Sequence, residues 1–252
     1  MHFIYFMYFC IQKGKKDLYM AAKINQEKGK VIEDIVSQWG TLSAEHLALL
    51  KDNLTITHYK KNDIIYKDFE NPKNTFCLIS GKVKIFKDGI GRNQIVRAIK
   101  PIEFFGYRAH FAQEDYRTSA MAIEACTIAS FPITILEKLM EENHQICLYL
   151  IHSLARELGN SDERTVNLTQ KHIRGRLAEA LIFLKDNYGL EEDGYTLSIY
   201  LSREDLASMS NMTTSNAIRT LSAFATEQLI AIDGRKIKII KEEELRKIST
   251  MG

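Results

Sequence analysis

The sequence predicts an α+β chain in three parts: an N-terminal antiparallel β-roll (a double-stranded β-helix), a long helix, and a C-terminal winged helix-turn-helix. Three observations predict it. Short stretches of period two, separated by turn residues, fill the first half. A heptad-like apolar stripe runs through residues 141–169. A helix, a tight turn, a second helix and a basic hairpin then follow one another from Ser202 to Ile240. On these signals the chain divides into an extension at 1–19, a roll at 20–140, a long helix and hinge at 141–170, and a winged domain at 171–252.

The extension, MHFIYFMYFCIQKGKKDLY, is too short in its apolar run to span a membrane, and its positive charge follows the run, where a signal peptide carries it before. The expectation is that translation begins at Met20 and that the extension is a misassigned start or a loose arm; a weak interfacial anchor is the rival. Two short helices follow between Val31 and Leu50, the second capped by Thr41 or Ser43. The predicted strands are 55–60, 63–67, 75–80, 82–87, 94–99 and 120–131, punctuated by ENPKN, Gly81, DGIG and KPIE.

The long helix, read from Glu141 to Thr169, carries Cys147, Ile151, Leu154, Leu158, Ser161, Thr165 and Leu168 at steps of three and four. At about 1.5 Å per residue it reaches roughly 40 Å. One apolar stripe of that length wants a partner, and a second copy of the chain is the simplest. Residues 168–171 form the hinge, and the next helix, HIRGRLAEALIFLKDNYG, buries Ile173, Leu177, Leu181 and Leu184.

In the winged domain Ser202 is placed to cap a short helix whose first turn carries Glu204 and Asp205, where the helix dipole favours negative charge. Asn211 takes the turn, which demands a positive φ. The second helix begins near Thr213. Ala217, Ile218, Leu221 and Phe224 are expected inside; Thr214, Ser215, Asn216, Arg219 and Thr220 face outward, short polar groups plus one guanidinium, suited to base edges and phosphates. Asp233 and Gly234 turn a hairpin whose basic residues include Arg235, Lys236 and Lys238.

A hydrophobic content of 45% and a charged content of 26% describe an ordinary folded chain, and the formal net charge is +2. From Lys171 to Gly252 twelve Lys or Arg balance twelve Asp or Glu, so DNA binding there requires cations gathered on one face. Cys10, Cys77, Cys126 and Cys147 are far apart, without the spacing of a zinc site or a disulfide framework, and fit a reducing cytoplasm. No nucleophile, acid and base set stands out, so the chain does not read as an enzyme.

The order LSREDLA, a turn, TTSNAIRTL and a DG wing resembles the cyclic-AMP receptor protein and FNR superfamily of bacterial transcription regulators, and FCLISGKVKIF with IEFFG matches the turn glycines of its cyclic-nucleotide-binding roll at Gly81 and Gly106. The resemblance implies a homodimer on an operator in double-stranded DNA, RNA polymerase as protein partner, a cytoplasmic location and no membrane. It implies phosphate contacts at Ser202, Arg203 and Thr213. Where the family reads a G·C pair with an arginine and a glutamate, this chain has Thr214 and Ser215; only Arg219 matches, and it is the expected reader of guanine.

In the pocket, Gly106, Arg117, Thr118 and Ser119 match, but Tyr107 stands where the family places the carboxylate that takes the ribose hydroxyl. A phenol cannot replace a carboxylate as a bidentate acceptor, so the effector is unknown: another small anion, or none, in place of cyclic AMP. Arg117 either anchors that anion or pairs with a local acid such as Glu114 or Asp115. Ser161 and Asp162 fall where relatives close over the purine, or are solvated helix residues. The close cysteine cluster of an iron–sulfur sensor is missing. Two alternatives stay open: a haem- or redox-dependent gas sensor on this scaffold, with His110, His144 or Cys147 as haem ligands, and a nucleotide-binding module that does not bind DNA.

Overall fold

The computed structural model describes residues 26–89 and 92–251, so the 1–19 extension, the start at Met20 and the turn residues 90 and 91 lie outside the described residues. Helical residues 26–39 (α1) and α2 (Ala44–Asn53) lead in. Ser43 caps α2, its hydroxyl accepting from the His46 amide at 3.1 Å. The roll comprises β1 (Thr55–Tyr59), β2 (Ile64–Tyr66), β3 (Asn74–Ser80), β4 (Val83–Gly89), β5 (Arg92–Ile99), β6 (Glu103–Phe105), the one-turn α3 (Arg108–Phe111), β7 (Ser119–Ala122) and β8 (Cys126–Pro132). Two antiparallel four-stranded sheets form it, ordered β1-β8-β3-β6 and β2-β7-β4-β5. Between them lie Leu78, Val83, Ile99, Phe105, Ala120 and Ile128, all buried.

The predicted strand 120–131 is two strands in different sheets. Residues 123–125 cross the corner between them, and alternation of apolar residues, which sees only period, continues through a corner unchanged. β6 was not expected as a strand; IEFFG carries only three paired residues, too few for a period.

α4 (Ile133–Glu142) and α5 (His144–Gln170) replace the predicted start of the long helix at Glu141. Asn143, at φ −135°, ends the first, and its side chain caps the second by accepting from the Gln145 amide at 3.0 Å. The predicted stripe begins at Cys147, inside α5, and so carries no signal of the break at Asn143. Along α5, Leu154 packs beside the core of the roll and its flanking helices and Leu168 is half-buried, so neither stands on the open face assigned to it; Cys147 is also half-covered, its thiol directed at the Met140 carbonyl at 3.5 Å. Ile151 and Leu158 remain open, at 57% and 64% exposure, with Leu148 at 41%. Positions 148, 151, 155, 158, 162 and 165 are all exposed. The outward stripe is thus rotated from the predicted one because Ile146, Leu150 and Leu154 are drawn inward against the roll.

The C-terminal part contains α6 (Ile173–Tyr188), α7 (Arg203–Met209), α8 (Thr214–Thr226), the hairpin β9 (Ile230–Asp233) and β10 (Lys236–Ile239), and α9 (Glu242–Met251). In α6, Leu177, Leu181 and Leu184 are buried, but Ile173, expected with them, sits in the first turn and is 40% exposed. No described helix is long and apolar enough to cross a membrane. The core of this part includes Leu206, Met209, Leu221 and Phe224, and it continues into the roll through Phe86 of β4 and Ile95 of β5.

Candidate nucleic-acid interface and sensor pocket

Two capped helices build the reading head. Ser202 accepts from the Asp205 amide at 3.0 Å while the Asp205 carboxylate accepts from the Ser202 amide at 3.3 Å, a reciprocal cap that satisfies two end groups of α7. Burial opposes the charge on Asp205, but hydrogen bonds from Lys84 and Ser202 outweigh it and hold its pKa below the usual value. Asn211 makes the turn at φ +49°. Thr213 caps α8, its hydroxyl accepting from the Asn216 amide at 3.2 Å.

α8 buries Ala217, Thr220, Leu221 and Phe224. Thr214, Ser215, Arg219 and Ser222 are exposed, and Asn216 is half-exposed, its side-chain oxygen accepting from Arg219 at 2.8 Å. Two assignments exchange places. Ile218, expected inside, is 47% exposed; Thr220, expected outside, is 8% exposed. At 3.6 residues per turn, position 218 lies directly over 214 and 215, whereas 220 shares the face of 217, 221 and 224. Residue type misled where angle decided. The outward face therefore carries a branched apolar group between hydroxyls and a guanidinium.

The other DNA-contact candidates are placed unevenly. Thr213, Thr214, Ser215, Asn216 and Arg219 come together at one end of α8. Arg203 donates to the Gly234 carbonyl at 2.7 Å, bracing the wing turn. Arg235 is exposed at the wing tip; Lys236 lies 5.3 Å over the Tyr200 ring and 3.7 Å from Glu191.

The pocket motif of the roll is not assembled in the same way. Gly106 has φ +85°, and a Cβ there would lie 2.7 Å from the Phe76 ring. Tyr107 is 2% exposed and donates to the Ser153 hydroxyl of α5 at 3.1 Å; burial raises its pKa, keeping it a neutral donor. Thr118 hydrogen-bonds Tyr66, whose ring stacks on Tyr116 at 3.9 Å, and Phe76 stacks on Phe105 at 5.4 Å. Ser119 is buried and accepts from the Asp68 amide at 3.0 Å. Arg117 turns away from all of them: its side chain is 74% exposed and its Nε meets Glu114 at 2.7 Å. Hydrogen bonds from Arg108 and then Arg117 hold that carboxyl below its usual range. In this structure Arg117 makes the pairing with a local acid. Ser161 and Asp162 are exposed on α5.

Beneath Tyr107 lies a charged cluster that sequence reasoning missed. Arg97 of β5 pairs with Glu103 and, at 2.9 Å, with Glu157 of α5. Its members are far apart in sequence, and no motif announces them. The three haem-ligand candidates keep separate company: His110 meets Glu137 at 2.8 Å, His144 meets Gln145 at 3.0 Å and Cys147 faces a carbonyl. Among the described residues no three His, Cys, Asp or Glu side chains cluster as metal ligands.

Comparison with known proteins finds two domain families in the chain. Residues 56–143 match the cyclic nucleotide-binding domain family and residues 175–248 the Crp-like helix-turn-helix domain family. The chain is 24% identical over 201 residues to a CRP-like cAMP-activated global transcriptional regulator of Mycobacterium tuberculosis, covering 79% of this chain and 90% of that one. It is 24% identical to the nitrogen fixation regulation protein FixK of Azorhizobium caulinodans, covering 76% and 78%. The solved structure of FixK2 from Bradyrhizobium japonicum superposes with a TM-score of 0.70 at 22% identity, covering 77% of this chain and 96% of that one, and so shares the fold. With both domain families in this order and regulators as its relatives, the chain belongs to the Crp/Fnr superfamily of bacterial transcription regulators.

Proposed function

We propose that the chain acts in the cytoplasm as a homodimeric, sequence-specific DNA-binding regulator that works with RNA polymerase and does not respond to cyclic AMP. The outward face of α8 carries this reading. Thr214, Ser215, Ile218 and Arg219 stand exposed on a helix whose other face is buried, and Thr213 presents its N-terminus. Backbone amides at such a terminus favour a phosphate. A guanidinium can pair with the O6 and N7 of guanine, and an apolar side chain matches the methyl of thymine. Two such faces must sit about 34 Å apart to enter successive major grooves, which calls for the twofold mate. The open stripe of Ile151 and Leu158 supplies its seam.

Duplexes selected from random sequence by the full chain should converge on a twofold-symmetric site. Arg219→Ala should relax one base-pair preference in each half-site by roughly 1–3 kcal/mol, measured by competition binding. An unchanged preference would remove Arg219 from base reading.

For cyclic AMP, calorimetry should give no saturable heat with ligand at about 1 mM, a level at which even a binding free energy near −4 kcal/mol would register. The position that should accept the ribose diol holds a buried phenol already donating to Ser153, and Arg117 is paired with Glu114. Micromolar affinity would overturn this part of the reading.

A further inference from the structure

β5 is an edge strand, and an edge strand exposes a row of backbone amides and carbonyls that must be met by something. Here the first helix of the reading head meets them. The Ser208 hydroxyl of α7 donates to the Asn93 carbonyl at 2.6 Å and accepts from the Ile95 amide at 2.7 Å. Gln94 Nε2 returns a bond to the Ser208 carbonyl at 2.6 Å. Lys84 of β4 pairs with Asp205, and Phe86 and Ile95 enter the core of the winged domain.

The central helix closes this contact with one side chain. Arg164 of α5 donates to the Val96 carbonyl at 2.9 Å and the Ile95 carbonyl at 2.5 Å on the roll, and to the Met209 carbonyl at 3.2 Å at the end of α7. Burial depresses its pKa, and Glu179 opposes that only through its charge. A guanidinium spends its forked donors here on neutral backbone oxygens of two different domains, a geometry that a lysine cannot reproduce. Sensor edge, dimerisation helix and reading head thus share a single point.

We propose that Arg164 is the positioning residue that fixes the reading head relative to the roll and the central helix, so that both recognition helices of the dimer are held at one spacing for DNA. This rests on the DNA-binding reading above. Arg164 touches no base; it acts through the orientation of α7. Two connections from one helix restrict the head more than the hinge at Lys171 could alone.

The test uses the full-length homodimer with Arg164→Met, which keeps the aliphatic stem and removes the donors, and with Ser208→Ala as a second variant on the opposite side of the contact. Residue-resolved hydrogen exchange is measured without DNA, and affinity for the selected operator by anisotropy. In both variants the Ile95 amide should exchange at least tenfold faster while the Cys77 and Ala129 amides in the other sheet keep their rates. Operator affinity should fall tenfold or more, with the sedimenting mass still that of a dimer. Unchanged exchange at Ile95, equal acceleration at Cys77 and Ala129, or faster exchange with undiminished operator affinity would each overturn the proposal. A wild-type chain that selects no duplex would sink the regulator reading instead, and the exchange rates would still decide whether Arg164 holds the head.

Discussion

Replacing Ile151 and Leu158 together by glutamate is expected to convert the proposed homodimer to monomers and to weaken operator binding by about a hundredfold or more. Both side chains are more than half exposed in the protomer, on an exposed stripe that also carries Leu148. Burying one such side chain stabilises association by roughly 1.5–3 kcal/mol, and each is buried twice across a twofold axis. Glutamates there would instead place four carboxylates in the seam, where desolvation and like-charge repulsion act together. The folded protomer should survive, because Ile146 and Leu150, which anchor α5 to the roll, lie on the other face. Sedimentation velocity reads the mass and circular dichroism the helix content; anisotropy with the selected operator reads the loss of bivalence. A variant that still sediments as a dimer would remove this stripe as the seam.

The architecture was legible from periodicity and punctuation because those signals are local. Ser202 and Thr213 cap through hydroxyls that reach amides three residues on, Asn211 and Gly81 act through their own φ, and each sits where its chemistry placed it. What periodicity could not supply was angle and neighbour. Ile218 and Thr220 were assigned by polarity, and the helix turned them the other way. Leu154 looked like its seam companions, yet the roll reached it first. In the pocket, Tyr107 marked a departure from the family pattern, but that its hydroxyl would meet Ser153, 46 residues along the chain, depends on how α5 lies against the roll. The Arg164 contact was invisible for a stronger reason: its acceptors are main-chain oxygens, which every residue has.

Gly81→Ala is expected to destabilise the chain by about 2–5 kcal/mol, a large share of the roughly 5–15 kcal/mol that holds a typical domain together. Gly81 turns the chain between β3 and β4 at φ +89°. An added Cβ would lie 2.5 Å from the Ala125 carbonyl oxygen and 2.5 Å from Cys126 Cβ, and 2.7 Å from Cys126 Cα. Two costs add: a left-handed backbone for a residue with a side chain, about 1–2 kcal/mol, and overpacking of about 1–3 kcal/mol against atoms that cannot rotate aside. Cys126 opens β8, which pairs with both β1 and β3, so yielding there would disturb a whole sheet. Gly234→Ala is the matched control. It also has positive φ, +56°, but nothing lies within 4 Å of the new methyl, and only the backbone cost of about 1–2 kcal/mol applies. Urea denaturation of both variants separates the terms, and equal midpoints would refute the steric account. The damage should also cross domains: on β4, Lys84 pairs with Asp205 of α7 and Phe86 enters the winged domain's core, so the reading head should lose protection from exchange along with the corner of the roll.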